Sequence, residues 1–266
     1  MDILEEIVAH KRVELARQKE IVAESDLCNT VERELASGMR PPVSMSASLA
    51  GSSTGIIAEF KRKSPSKGWI HMEARVEDVV PQYEAAGASA LSILTDSEYF
   101  GGDMRFVKKV RPHTTLPILR KDFIIDEYQL LQARLIGADA VLLIAACLDK
   151  PACRRLAQRA HELGLETLLE THTPGDTEYI DDNIDMVGVN NRNLGTFSVD
   201  VNNSMQMLPY LPADRVLVSE SGISTPETMM QLRSAGYRGF LIGETFMKSG
   251  NPGKALREFK QKLKGS

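Results

Sequence analysis

Glycine closes one predicted helix after another along this chain, and that recurrence narrows the fold more than any other feature. Ala86-Gly87, Ile136-Gly137, Leu163-Gly164 and Ala235-Gly236 each stand where a helical stretch runs out, and glycine best tolerates the left-handed conformation that follows a helix. The glycines fall about two, one and three multiples of a ~25-residue unit apart, the size of a short strand plus a helix. From Gly55 onward, short apolar runs alternate with helical stretches, and eight of them are predicted as strands: 56–61, 90–95, 117–121, 140–144, 166–170, 186–190, 216–220 and 240–243. Both faces of these runs are apolar enough to be buried, as in a parallel sheet covered on each side. Eight strand-helix units in about 210 residues predict an α/β fold, the (β/α)8 TIM barrel. An open doubly wound sheet is disfavoured, because the loop after the first strand reads KRKSPSKG at 61–68, without a G-x-G-x-x-G dinucleotide turn.

A chain of 266 residues, 42% hydrophobic and 26% charged, can close around one core in this architecture, so one domain is expected over 1–266. Residues 1–54 precede the first strand and are expected as an N-terminal helical extension. An amphipathic helix is predicted over 1–22, with Leu4, Ile7, Val8, Ile21 and Val22 apolar, and a polar helix from Asp26. That apolar stripe fits the chain's own barrel or a partner subunit; a monomer is expected, with a dimer as the alternative. The longest apolar stretches fall short of a bilayer span, and the N-terminus is acidic where a signal peptide would be basic, so a cytoplasmic protein without a membrane partner is expected. A net charge of −4 makes nucleic acid an unsuitable partner; an anionic ligand must be met by a local pocket. Cys28, Cys147 and Cys153 are too few for a disulfide framework, and no His or Cys stands at metal-ligand spacing around them.

In such a barrel the site lies at the carboxyl ends of the strands. There the predicted strands turn polar: Glu59 and Lys61 on the first, Lys121 on the third, Glu170 on the fifth, Asn190 with Arg192 on the sixth, Glu220 on the seventh. The two-residue period puts Glu59 and Lys61 on the inner face and Phe60 on the outer. Any one charged strand end is as readily a solvated loop end; their convergence favours a site. Lys61, Lys121 and Arg192 balance Glu59, Glu170 and Glu220, which would keep lysines as ammonium and glutamates as carboxylate, ready for acid–base work. Ser221-Gly222 after the seventh strand and Gly243-Glu244 after the eighth, with Ser64 in the first loop, are candidates for a phosphate site built from backbone N–H groups.

Six segments then carry a resemblance: IAEFKRKSPS from 57, LRKDFI from 119, LLETH from 168, GVNNRNL from 188, VSESGI from 218 and LIGE from 241. Together with the N-terminal extension they resemble the single-function indole-3-glycerol phosphate synthases across essentially the whole chain. The resemblance implies ring closure, decarboxylation and dehydration of 1-(2-carboxyphenylamino)-1-deoxyribulose 5-phosphate, giving indole-3-glycerol phosphate, carbon dioxide and water in tryptophan biosynthesis, with no metal or organic cofactor. It implies Lys121 as the acid that protonates the ketone oxygen and Glu170 as the base of the dehydration. Lys61 would stand near the substrate carboxylate and departing hydroxyl, tuned by Glu59, with Asn190, Glu220 and Arg192 around the substrate hydroxyls. It implies Ser64, Ser221, Gly222 and Gly243 at the phosphate, the Glu244 N–H beside them, and Phe123 with Leu194 walling the aromatic ring.

His172 is expected as a loop histidine making one ordinary hydrogen bond. Trp69 and His71 either touch substrate or pack the first loop, and the basic run 254–264 reads as an amphipathic outer helix. A lysine at a barrel strand end also suits a Schiff-base aldolase acting on a sugar phosphate. A phosphate-binding barrel without activity leaves the Glu59/Lys61 and Lys121/Glu170 pairs without a purpose.

Overall fold

The computed structural model describes residues 3–193 and 195–263. Eight parallel strands close into a barrel: β1 (Ile56–Phe60), β2 (Ala90–Leu94), β3 (Ile118–Lys121), β4 (Ala140–Ile144), β5 (Glu166–Thr171), β6 (Met186–Asn190), β7 (Val216–Glu220) and β8 (Gly239–Ile242). Each pairs with its neighbours in sequence, and β1 meets β8 with Ile57 opposite Leu241. Strands were thus expected in the right places, within one residue at each end. The glycine punctuation also has its physical reason: Gly87 and Gly137 end their helices at φ 87° and 89°, where a side chain would be strained.

The two-residue period of the strands creates two cores. Ile57, Ala90, Leu119, Ala140, Leu142, Leu168, Met186, Val218 and Leu241 point inward and fill the barrel. Their neighbours Ile56, Ala58, Phe60, Ile93, Val141 and Leu169 point outward against the helices, where Phe60 meets Phe106 edge to face with centroids 5.7 Å apart. Most strand positions are therefore apolar on both faces until the carboxyl end.

The extension closes both ends of this cylinder. Helix α1 (Ile3–Ile21) lies at the carboxyl end and buries Leu4, Ile7, Val8 and Leu15. Ile21 and Val22, expected on the same stripe, are exposed instead; the position that joins the buried face is Lys11, 1% exposed. Its ammonium meets Asp96 at 2.9 Å and Asp122 at 3.1 Å, so α1 is pinned to the barrel by charge as well as by apolar area. Helix α2 (Glu24–Ala36) follows. A third helix, α3 (Met45–Ala50), was not anticipated. It plugs the amino end of the barrel with Met45 and Leu49, and Glu166 accepts the N–H groups of Met45 and Ser46 at 2.7 and 2.8 Å. A serine-rich heptad looks like a loop; the overlooked signal was Ser44 as N-cap ahead of two apolar residues four apart.

Around the barrel follow α4 (Val76–Ala86), α5 (Met104–Val110), α6 (Glu127–Ile136), α7 (Lys150–Glu162), α8 (Asn202–Met207), α9 (Pro226–Ala235), α10 (Glu244–Met247) and α11 (Pro252–Leu263). The basic C-terminal run is amphipathic as expected, with Leu256 and Phe259 buried. Among the described residues no helix is long and apolar enough to cross a membrane.

Candidate active site

Where the apolar strands end, six side chains enter one cavity of about 510 Å³ at the carboxyl end of the barrel: Glu59, Lys61, Lys121, Glu170, Asn190 and Glu220. Alternation places them there. Ile57 faces the barrel interior, so Glu59 and Lys61 must follow it on the same side, and the Lys61 ammonium sits 2.7 Å from Glu59 Oε1. Lys121 lies deeper, with its Nζ 3.4 Å from Glu170 Oε2 and 3.3 Å from Glu220 Oε2. Asn190 stands by Glu170 and favours its charged form, and its Oδ1 accepts the N–H of Arg192 at 2.9 Å.

Two glycines exist to make room for these acids. A Cβ on Gly243 would stand 2.3 Å from Glu59 Oε1, and one on Gly188 would stand 2.3 Å from Glu220 Oε1. Gly243 is thus required by the acid at its back, whatever its N–H group contributes in front.

The charges do not balance as the sequence suggested. Arg192 reaches none of the three glutamates; its guanidinium donates to Phe197 O at 3.1 Å and to Ser66 Oγ at 3.3 Å, and stands 4.0 Å from Glu244. Two lysines therefore face three carboxylates. Burial disfavours the Lys121 ammonium, but Glu220, Glu170 and Glu59 outweigh it and raise its pKa. Burial likewise disfavours the Glu170 carboxylate, and Lys121, His172 and Asn190 reverse that and hold its pKa below the ordinary range. Glu220 carries the surplus: burial, with Glu170 and Glu59 nearby, pushes it up to about 7 despite Lys121. At Glu220 a pKa of about 7 leaves the carboxyl partly protonated at neutrality, because one ammonium cannot neutralise two sealed carboxylates. A lysine held as ammonium is an acid and a poor amine nucleophile, which counts against the Schiff-base alternative.

The cavity is also lined by Ser64, Ser66, Ser221, Gly222, Gly243, Glu244 and Thr245, with the exposed Lys67 and Lys248. Ser221 and Gly222 are both left-handed, at φ 67° and 79°, and Asn191 holds the turn by donating to Ser221 O at 3.1 Å. A non-glycine residue in that region stores strain, as at many ligand-binding loops. Phe123 lines the cavity with its ring tilted against Phe100, centroids 6.0 Å apart. Leu194 lies outside the described residues. Sequence reasoning missed Phe100, Leu142 and Ile144 on the apolar wall, and Ile3, Leu4 and Ile7, which α1 brings across the mouth.

Trp69 and His71 do not line the cavity. Trp69 pairs across a two-stranded turn with Lys63 and receives the Arg62 and Lys63 cations on its ring, while His71 Nδ1 lies 3.1 Å from Met247 O; both pack the first loop. His172 departs from expectation in the other direction. Its ring nitrogens are buried without a hydrogen-bond partner, and Nε2 lies 3.7 Å from Glu170 Oε1. Among the described residues no cluster of His, Cys, Asp or Glu stands where it could hold a metal ion.

A closed (β/α)8 barrel whose strand ends converge on paired lysines and glutamates has the groups that acid–base chemistry needs. Solved structures share the fold: tryptophan synthase subunit alpha from Legionella pneumophila has a TM-score of 0.61 at 16% identity, over 84% of this chain and 98% of that one. A mutant tryptophan synthase alpha-subunit from Pyrococcus furiosus has a TM-score of 0.59 at 16% identity, over 80% and 98%. The family is shown by sequence. The model of the indole-3-glycerol phosphate synthase family matches residues 4–259. An indole-3-glycerol phosphate synthase of Bacteroides thetaiotaomicron is 58% identical over 258 residues, 97% of each chain. One of Burkholderia vietnamiensis is 41% identical over 257 residues, 96% of this chain and 97% of that one. The chain belongs to the indole-3-glycerol phosphate synthase family, and its activity is that carboxy-lyase reaction of tryptophan biosynthesis.

Proposed function

We propose that Lys121, Glu170 and the Glu59/Lys61 pair divide the acid–base steps of indole-3-glycerol phosphate synthesis between two ends of one mouth. The observation that carries this reading is the Lys121 ammonium set between Glu170 and Glu220 at 3.4 and 3.3 Å. In ring closure the aromatic carbon bearing the carboxylate attacks the ketone carbon, and Lys121 gives its proton to the ketone oxygen. The new carbon–carbon bond leaves the ring dearomatised; carbon dioxide departs and its bonding electrons restore the aromatic ring. Dehydration then expels the hydroxyl as water with a proton from Lys61, while Glu170 removes the carbon-bound proton that completes the indole. Glu59 orients Lys61 through their 2.7 Å contact, and Asn190, Glu220 and Arg192 receive the substrate hydroxyls.

We place the phosphate against Ser64, Ser221, Gly222, Gly243 and the Glu244 N–H, where the turn made by two consecutive left-handed residues lines the cavity. The exposed Lys67 and Lys248 add positive charge. Phe123 with Phe100 supports an aromatic wall. Burial of Leu4, Ile7 and Val8 against the chain's own barrel supports a monomer folding as one unit over 1–266, and three free thiols fit the cytoplasm.

Incubation with the anthranilate-derived ribulose phosphate should generate indole fluorescence, and borohydride added during turnover should trap no covalent lysine adduct. A reduced adduct at Lys121 or Lys61 would replace this reading with amine catalysis.

A further inference from the structure

We infer that His172 is a positioning residue for Glu170, a role that rests on the reading of Glu170 as the dehydration base. His172 is the first residue beyond β5, and the strand period that turns Thr171 outward returns His172 to the side of Glu170. Its backbone is fixed from two directions. The His172 N–H donates to Asp176 Oδ2 at 2.7 Å, and its carbonyl accepts from Asn203 Nδ2 at 3.3 Å. The ring has little room to wander, with the side chain 15% exposed.

Within that frame the imidazole is unusual, because neither nitrogen has a hydrogen-bond partner although both are buried. An unsatisfied buried polar group is costly, and an apolar side chain would fill the same space without that cost. What the nitrogens do have is Glu170: Nε2 lies 3.7 Å from Oε1, while the other oxygen, Oε2, faces the Lys121 ammonium at 3.4 Å. The carboxylate is thus addressed from opposite sides, by a lysine within the mouth and by a histidine that does not line it. A shift of about 1 Å makes Nε2–H···Oε1 an ordinary hydrogen bond. His172 then fixes the plane of the carboxylate and leaves Oε2 as the oxygen presented to the substrate, the arrangement by which a third group orients a base. Asn190 also favours the charged form of the same carboxylate.

Three variants in the full-length enzyme separate this role from packing. His172→Phe, which keeps a ring but no donor, and His172→Leu should each lower kcat by ~10-fold or more, the scale of a misdirected catalytic group, with KM within about twofold. His172→Gln, which restores a donor at nearly the same reach, should recover kcat to within about threefold. In the Glu170→Gln background, His172→Phe should cost nothing further, because a residue that acts through another is silent once that other is gone. An unchanged kcat in both His172→Phe and His172→Leu overturns the inference. So does an equal loss in the Gln and Phe variants accompanied by a lower Tm, which is the signature of packing. If Glu170→Gln alone keeps full activity, the base assignment itself fails; if Glu170→Gln is inactive and His172→Phe is normal, only the positioning role does.

Discussion

Two clusters of buried charge meet at the end of β3, and they are built to opposite specifications. Arg120 and Asp122 turn one way, Lys121 the other. Asp122 accepts Thr95 Oγ1 at 2.6 Å, Arg120 at 3.0 Å and the Phe123 N–H at 2.9 Å, with the Lys11 ammonium at 3.1 Å. Burial works against that carboxylate, yet Arg120 and Lys11 hold its pKa below the ordinary range. Glu220, one strand-face away, has both oxygens buried without a hydrogen-bond donor and only the poorly aligned Lys121 at 3.3 Å; its pKa moves the opposite way, to about 7. The better-satisfied cluster fastens α1 to the barrel, with Asp96 Oδ2 held by the Lys11 ammonium alone at 2.9 Å. An under-satisfied one keeps donors and acceptors free for a substrate, at the expense of stability.

The contrast is broken most severely by Lys121→Met. Loss of the acid should lower kcat by at least ~100-fold while KM changes much less. Glu170 and Glu220 are only 2% and 1% exposed, so Lys121→Met strands two sealed carboxylates, and its Tm should fall as pH rises. A kcat within a few-fold of the parent would move Lys121 from catalysis to binding.

Lys11→Met should show the reverse profile. Asp96 and Asp122 lose a shared counter-ion in a buried place, a loss of ~3–5 kcal/mol, or about 10 °C in Tm for a chain of this size. Near 25 °C the folded enzyme should retain kcat within about tenfold, since Lys11 touches neither lysine of the mouth. Circular-dichroism melts beside steady-state kinetics decide it, and a kcat loss as deep as that of Lys121→Met with an unchanged Tm would erase the distinction between the clusters.

Glu220→Gln sharpens the comparison through pH. A carboxyl whose pKa rises from its ordinary 4.5 to about 7 on folding favours the folded state only while protonated; that stability is lost as pH rises from about 4.5 through 7. Removing the ionisable group should therefore raise Tm by a few degrees at pH 8, while the advantage over the parent shrinks toward zero at pH 5. Activity should fall in the same variant. An equal Tm difference at both pH values would show that Glu220 does not titrate abnormally.

The smallest effect is expected at Ser221. Its φ of 67° carries about 1 kcal/mol of strain that glycine would relieve, so Ser221→Gly should be slightly more stable and bind the phosphorylated substrate more weakly if its hydroxyl contributes. A destabilised glycine variant would place the strain elsewhere.

Much of this was legible before any coordinates. The strand ends announced the mouth because β1, β3, β5, β6 and β7 each stop being apolar at the position where alternation points inward, and that rule needs no tertiary information. Which charges pair with which is a three-dimensional matter. Arg192 follows Asn190 by two but has already left the barrel for Ser66 and Phe197, so the apparent balance of three bases and three acids dissolved. The same limit hid Lys11: on a helical wheel it is one more polar residue, and only the aspartates brought from β2 and β3 loops explain why it is buried. His172 was set aside because a histidine after a strand usually finds a partner nearby; its unsatisfied ring is visible only in the packed structure.

The division of the reaction between Lys121 and Glu170 is tested most directly by single-turnover rapid quench of Glu170→Gln, following carbon dioxide release and indole formation in the same samples. If Glu170 acts as the base only after ring closure, carbon dioxide should appear in a fast phase close to the parent rate while the indole chromophore lags by ~100-fold, as a decarboxylated intermediate waits to dehydrate. Carbon dioxide and indole slowed together, in step from the first time point, would contradict it and place Glu170 at or before the first carbon–carbon bond.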